Sequence, residues 1–388
     1  MKKDWEYKKL GEVGTFKRGG NFSKKDFIEN GFPCIHYGQI HMKFGIETFK
    51  HLSSVPAEMV KPDRCAQKGD LVIAVTSEDD AGSCKCTAWM GDYEAYVGGH
   101  AAIYRHTMEP KYVSYYFMSP YFQKAKLEYT HGFKVVEINP KDIAKISIPV
   151  PPLSEQKEIV EYLDSSFAKI DKLKENAAKN LEEAKALFQS ALKDALEPKE
   201  GWEEKTMDEV CILSQGLAIN SKTKHLLVEK SSIPLLRIKD MKDGTREIFV
   251  DDKNYPPKCL AHPDELIYTR TGTLGLIFTG MFGIVHNNCF KIKLDEKILN
   301  KYYYMYFVGS DNFRNMILSI ASRAAQPDIT HKLFKVQKIQ FPTLSEQQSI
   351  VSFLDSLSEK LNTLQQNYSR ICDECDALKQ AILRQVFE

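Results

Sequence analysis

The stretch YTRTGTLG, residues 268–275, holds a group of side chains suited to recognition chemistry. Arg270 stands between Thr269 and Thr271, Thr273 follows, and Gly272 and Gly275 let the backbone approach a ligand closely. A guanidinium with five fixed donors suits an acceptor pair, and hydroxyls add short-range donors and acceptors. Such a group binds; it does not by itself cut or transfer. The same residues also suit a strand-to-strand turn with a surface Arg, and spacing alone leaves both readings open.

Signals of catalysis are missing. Neither a GxxxxGK[ST] nucleotide loop nor a GxGxxG cofactor loop occurs. Asn139-Pro140 is followed by Lys141, not by the Pro-aromatic pair that amino-methyltransferases use to hold a flipped base. The ten His have no convincing Cys or Ser partners, and the nine Cys follow no disulfide framework, which suits a reducing cytoplasm. Cys84/Cys86 and Cys372/Cys375 have no second pair or His at zinc spacing, so they read as plain thiols. No apolar run approaches about 18 residues and none follows the basic start, so the chain is expected to be neither exported by a standard signal nor membrane-spanning. We read it as non-enzymatic.

The elements that must position the group come in duplicate. LSEQKEIVEYLD (153–164) returns as LSEQQSIVSFLD (344–355), identical at eight of twelve positions. At the same offset Ile138 meets Ile329, Pro151 meets Pro342, and ALFQSALKDALE (186–197) meets ALKQAILRQVFE (377–388). Upstream the offset drifts: WEYKKLGEV (5–13) aligns with WEEKTMDEV (202–210), GDLVIAVT (69–76) with DELIYTRT (264–271), and KYVSYYFMS (111–119) with KYYYMYFVG (301–309). The chain is two copies of one unit.

Each copy opens with mixed sequence whose β-rich runs include LVIAV, AAIYRH, LIYTR, IFTGMFGIV and FKIKL, and closes with a break-free helical tract. Ser154 and Ser345 read as N-caps, the latter with Gln348 in a capping box. Steps of three and four place Val160, Leu163, Phe167, Ile170, Lys174, Ala177, Leu181, Ala184, Phe188, Ala191 and Ala195 on one stripe. Ile350, Leu354, Leu357, Leu361, Leu364, Tyr368, Ile371, Cys375, Leu378, Ile382 and Gln385 form the other. Ten of eleven positions are apolar in each, so each tract is expected to pair with the other as a coiled coil roughly 66 Å long. The fold class is α/β, with globular domains at 1–152 and 198–343 and antiparallel helices at 153–197 and 344–388. The aromatic runs 112–122 and 302–313 lack interleaved basic residues and read as core helices, not stacking platforms.

Net charge is +1 overall, but the globular parts carry +3 and +4 and the helices −3 each. That mild polarity permits phosphate contact without requiring it.

Two variable domains, each closed by an LSEQxxIVxxLD helix start, resemble the specificity subunit of type I restriction-modification systems. The resemblance implies that each globular part is a target recognition domain reading one half of a split, asymmetric double-stranded DNA sequence. It implies that the helices set the spacer and dock two methyltransferase subunits, with restriction/translocase subunits as further partners. S-adenosylmethionine, ATP and magnesium would sit on those partners, with no cofactor on this chain. Arg270 would then pair with guanine, with Thr269, Thr271 and Thr273 beside it. In the first domain AVTSEDDAGSCK lacks an Arg and carries Glu78, Asp79 and Asp80, which leaves Thr76, Ser77 and Lys85 as contacts. Lys17, Arg18, Gln39, His41 and Lys43, and Arg237, Lys239, Arg246 and Arg323, are supplementary candidates. A duplicated coiled-coil scaffold that binds proteins is the alternative reading.

Overall fold

The computed structural model describes residues 5–132, 135–321 and 327–388. Two compact units divide the chain: residues 1–178 with 368–388, and residues 179–367. The division does not fall at the ends of the sequence copies. Each 44-residue helix, Leu153–Leu196 and Leu344–Phe387, starts in the unit built by its own copy and ends in the other.

In the first unit a five-stranded sheet runs in the order Gly14–Arg18, Ala101–His106, Leu71–Ala74, Cys86–Trp89, Glu47–Thr48. A four-stranded sheet runs Ser53–Val55, Phe32–Ile35, Ala95–Val97, Cys65–Ala66. Most pairings are antiparallel, with Tyr104 opposite both Phe16 and Leu71. The run AAIYRH forms a strand along its full length. The second unit repeats the plan, with Cys211–Gln215, Cys289–Leu294, Leu266–Thr269 and Ile277–Phe278 in one sheet. There IFTGMFGIV divides: Ile277–Phe278 joins one sheet and Gly283–Val285 another. Gly283, at φ +151°, lies where a Cβ would stand 2.5 Å from the Pro234 carbonyl, so the close approach requires glycine.

Both aromatic runs are core helices at their start. Pro110–Met118 buries Tyr112, Tyr115, Tyr116 and Phe117, and Lys301–Gly309 buries Tyr303, Tyr304 and Val308. Tyr112 and Tyr116 pack on Phe387 at ring separations of 5.3 and 5.6 Å, beside Leu383 and Val386. The last turn of the chain therefore completes the first unit's core. Leu192 and Leu196 enter the second core in the same way.

The repeated motif explains itself in these contacts. Gln156 accepts from the Glu109 N–H (2.8 Å) and donates to the Pro151 carbonyl (2.8 Å). Gln347 accepts from the Asn300 N–H (2.7 Å) and donates to the Pro342 and Ile298 carbonyls (2.8 and 2.9 Å). Both are buried, and only a side chain with donor and acceptor together satisfies the two sides. Asp164 accepts from Tyr115 (2.6 Å) and Asp355 from Tyr306 (2.7 Å). The motif fastens a long helix to an aromatic helix in each unit.

The helices pair antiparallel within the first unit, where Lys174 meets Asp376 (2.8 Å) and Asp171 meets Lys379 (2.5 Å). The first stripe is wholly or partly buried, but Val160, Leu163 and Phe167 lie in the first core and Phe188 and Ala195 pack on the second, while Leu364, Leu378 and Gln385 of the second stripe are exposed. Leu383, Val386 and Phe387 are buried beyond that stripe because the helix end turns its apolar face to the domain core. The cap assignment is also corrected. The helices begin at Leu153 and Leu344, so Ser154 and Ser345 lie inside them. Thr343 Oγ1 accepts from the Glu346 N–H at 3.4 Å, and Gln348 instead accepts from the Asn300 side-chain amide.

Candidate nucleic-acid interface

In the second unit the strands Leu266–Thr269 and Ile277–Phe278 pair around a tight turn, closed by the Thr269 N–H to the Leu276 carbonyl (2.9 Å). Gly272 and Gly275, at φ +77° and +76°, supply the left-handed conformation that the turn requires. Thr273 is exposed at its tip and Thr271 half-buried. Thr269 is corrected as a contact: it is fully buried, and its hydroxyl accepts from the Leu276 N–H (2.9 Å).

Arg270 is committed internally. It pairs with both oxygens of Asp328, one at 2.9 Å, and donates to Gln215 (3.2 Å). The first unit reaches the same end with its cation elsewhere. Val75 and Arg270 occupy matching places, accepting from the Ile138 and Ile329 N–H groups, while Arg18 matches Gln215 on the neighbouring strand. Arg18 donates to Glu137 (2.7 Å) and to the Gly99 carbonyl (2.8 Å), and Gln215 donates to the corresponding Asn287 carbonyl (3.1 Å). An acid at 137 or 328 is thus strapped to the sheet by an Arg from different strands. Coincident pairing from two origins marks the strap as part of the fold.

The remaining candidates are placed as follows. Thr76 is buried against His100 (3.1 Å), and its carbonyl meets His41 Nε2 (3.2 Å), so it too is corrected as a contact. Lys85 donates to the His41 carbonyl (2.5 Å), and Lys17 pairs with Asp63 (2.8 Å). Gln39 caps a helix at His36 and donates to Ser53 (2.6 Å). Arg237 grips buried Asp240 (2.7 and 2.8 Å) and Glu247 (2.7 Å), and hydrogen bonding from Arg237 holds the Asp240 carboxyl below its usual range. Lys239 shares Glu247, and Arg246 donates to the carbonyls of Asp240 and Thr245. Lys43 is exposed and Ser77 half-buried; Arg323 lies outside the described residues.

In the first unit a cleft of about 1490 Å³ opens beside the matching hairpin, lined in part by Lys24, Tyr37, His41, Ser77, Glu78 and Lys85. The turn there, residues 75–83, is four residues longer than its counterpart 270–274. Buried Lys126 ties it down from below, donating to the Asp80 and Ser83 carbonyls (2.7 and 2.6 Å), and desolvation lowers its pKa. Glu78, Asp79 and Asp80 are exposed above. Burial pushes the Cys84 thiol up to about 12, so it is no nucleophile at neutral pH. Among the described residues no three His, Cys, Asp or Glu gather as a metal site, and no helix is long and apolar enough to cross a membrane.

Sequence reasoning missed Lys126 and the Gln156/Gln347 clasp. The identity of Gln in both copies was the available signal for the clasp.

The fold is one module built twice, each copy carrying a matching hairpin, and family comparison says what kind of module it is. The chain belongs to the type I restriction modification DNA specificity domain family, whose model matches residues 2–183 and again 199–371. It is similar to the type I restriction enzyme StySPI specificity subunit of Salmonella potsdam, 24% identical over 99% of this chain and 88% of the relative. The EcoKI specificity subunit of Escherichia coli K12 is 23% identical over the same shares. Among solved structures, a chain from work on complex assembly and conformational transition of the type I system superposes with a TM-score of 0.80. It is 19% identical, covering 99% of this chain and 97% of that one. The HsdS subunit of Thermoanaerobacter tengcongensis gives 0.63 at 19% identity, covering 99% and 96%. This chain is a DNA sequence-specificity subunit of a type I restriction-modification system.

Proposed function

We propose that each unit reads one half of an interrupted, asymmetric DNA target and that the paired helices fix the gap and seat two methyltransferase subunits. The observation that carries this is the unequal hairpin pair. One fold is used twice, yet residues 75–83 present Glu78, Asp79 and Asp80 where residues 270–274 present Thr271 and Thr273. Carboxylates accept from the amino groups of cytosine or adenine, whereas hydroxyls serve either role, so equal half-sites are not expected. The chain itself carries no chemistry in this reading; S-adenosylmethionine, ATP and magnesium belong to its partners, and a restriction/translocase subunit joins the modification complex.

The test is methylation mapping in a host expressing this chain with type I methyltransferase subunits. The expected product is a two-part motif with unlike halves. Inserting one heptad at matched points of both helices adds about 10.5 Å of rise, or roughly three base pairs, and should lengthen the spacer while both halves persist. A continuous motif, or a spacer indifferent to the insertion, would refute the helical ruler.

A further inference from the structure

Arg314 is a guanidinium without a carboxylate. It lies partly buried on the helix Asp311–Ala321, and no described residue pairs with it, in contrast to Arg18, Arg237 and Arg270. Its Nε is sealed from water and has no acceptor. The Tyr268 hydroxyl, on a side chain that is 0% exposed, is equally unpartnered.

Both atoms converge beneath one residue of the hairpin turn. A Cβ at Gly275 would stand 3.4 Å from Arg314 Nε and 3.5 Å from the Tyr268 oxygen. The Arg314 side chain, its Cγ at 3.2 Å from the same point, thus runs under the glycine beside the Tyr268 hydroxyl, and neither polar atom has a partner among the described residues. Buried donors are normally satisfied, so the pair marks a place where an acceptor arrives from outside. Gly272 and Gly275, both at positive φ, flank exposed Thr273, so no side chain at either glycine covers the pair. The matching helix position in the first unit is Gln123, whose N–H reaches Ser119 as that of Arg314 reaches Ser310. Gln123 lines the cleft beside the first hairpin, so this position addresses the hairpin in both units.

We propose that Arg314, with the Tyr268 hydroxyl beside it, receives a DNA backbone phosphate at the 270–275 turn. The proposal rests on the DNA-reading function above. The seat offers a permanently charged guanidinium donor and a hydroxyl free to donate, which suits a phosphate oxygen. Entry of that oxygen tilts the turn outward and satisfies both groups.

The experiment measures binding of the full chain, assembled with its methyltransferase subunits, to the mapped target and its single-base variants at several salt concentrations. Arg314→Ala should weaken every duplex alike, by about tenfold, and reduce the slope of log affinity against log salt by about 0.9. Arg314→Lys should keep the slope. Tyr268→Phe should melt no lower than the parent yet bind DNA several-fold more weakly. Unchanged affinity and slope in Arg314→Ala, a loss confined to one base pair, or a Tyr268→Phe protein that binds like the parent would each overturn the phosphate seat. A parent complex without sequence preference would instead remove the DNA-reading function on which the seat depends.

Discussion

Phe387→Ala should unfold the first unit early and leave the second intact, although the residue ends the second sequence copy. Phe387 is 1% exposed and packs on Tyr112 and Tyr116. Removing a buried Phe side chain costs about 3–5 kcal/mol, the transfer and cavity contributions together. With a urea dependence of about 2–3 kcal/mol per molar for a unit of this size, the midpoint falls by roughly 1–2 M. Trp89, buried in the first unit, and Trp202, packed on the second core, provide separate fluorescence reporters in variants that retain only one of them. The Trp89 transition should move and the Trp202 transition should stay. Leu196→Ala should do the reverse. Equal shifts of both reporters, or a Trp202 shift alone after Phe387→Ala, would refute the assignment of the chain's end to the first core.

Gln347→Glu should destabilise the second unit by about 2–4 kcal/mol at neutral pH, because a carboxylate would face the Pro342 and Ile298 carbonyls; denaturant titration with the Trp202 reporter checks it. Arg270→Ala should lower the second unit's thermal midpoint by leaving partly buried Asp328 unpaired, and double substitution with Asp328→Asn should recover part of the loss, as a double-mutant cycle in calorimetry would show. Burial holds the folded pKa of His106 near 4, below its ordinary 6.5, so the unfolded chain binds the proton more readily. First-unit stability is therefore full above about pH 6.5 and falls as pH drops toward 4, and His106→Phe should flatten that dependence in urea titrations across the window.

Much of the architecture was legible because it is periodic. The duplicated LSEQ motif, the two tracts and the aromatic helices each repeat a local pattern whose physical cause acts over a few residues. The boundaries of the folded units were not legible. Burial of Leu383, Val386 and Phe387 depends on a surface made by residues 112–163, and nothing near the end of the chain announces it. The candidate contacts were legible only as residue types. Arg270 finds Asp328 across 58 positions, and Thr76 finds His100 across 24, so their commitments appear only once the strands are assembled. Arg314 was passed over because an Arg on an amphipathic helix resembles any other until its missing partner is seen.

The exchange of helix ends also orders synthesis. Everything the second unit needs has been made by residue 367, whereas the first unit waits for residues 368–388. At about 5–20 residues per second, the ribosome leaves residues 1–178 without the helical turns of residues 368–388 for roughly ten to forty seconds. Of the two units, the one begun first is therefore the one completed last. For that interval Tyr112, Tyr116 and their neighbours lack the cover that Leu383, Val386 and Phe387 give in the finished unit, so the aromatic face that anchors the fold is the last to be closed.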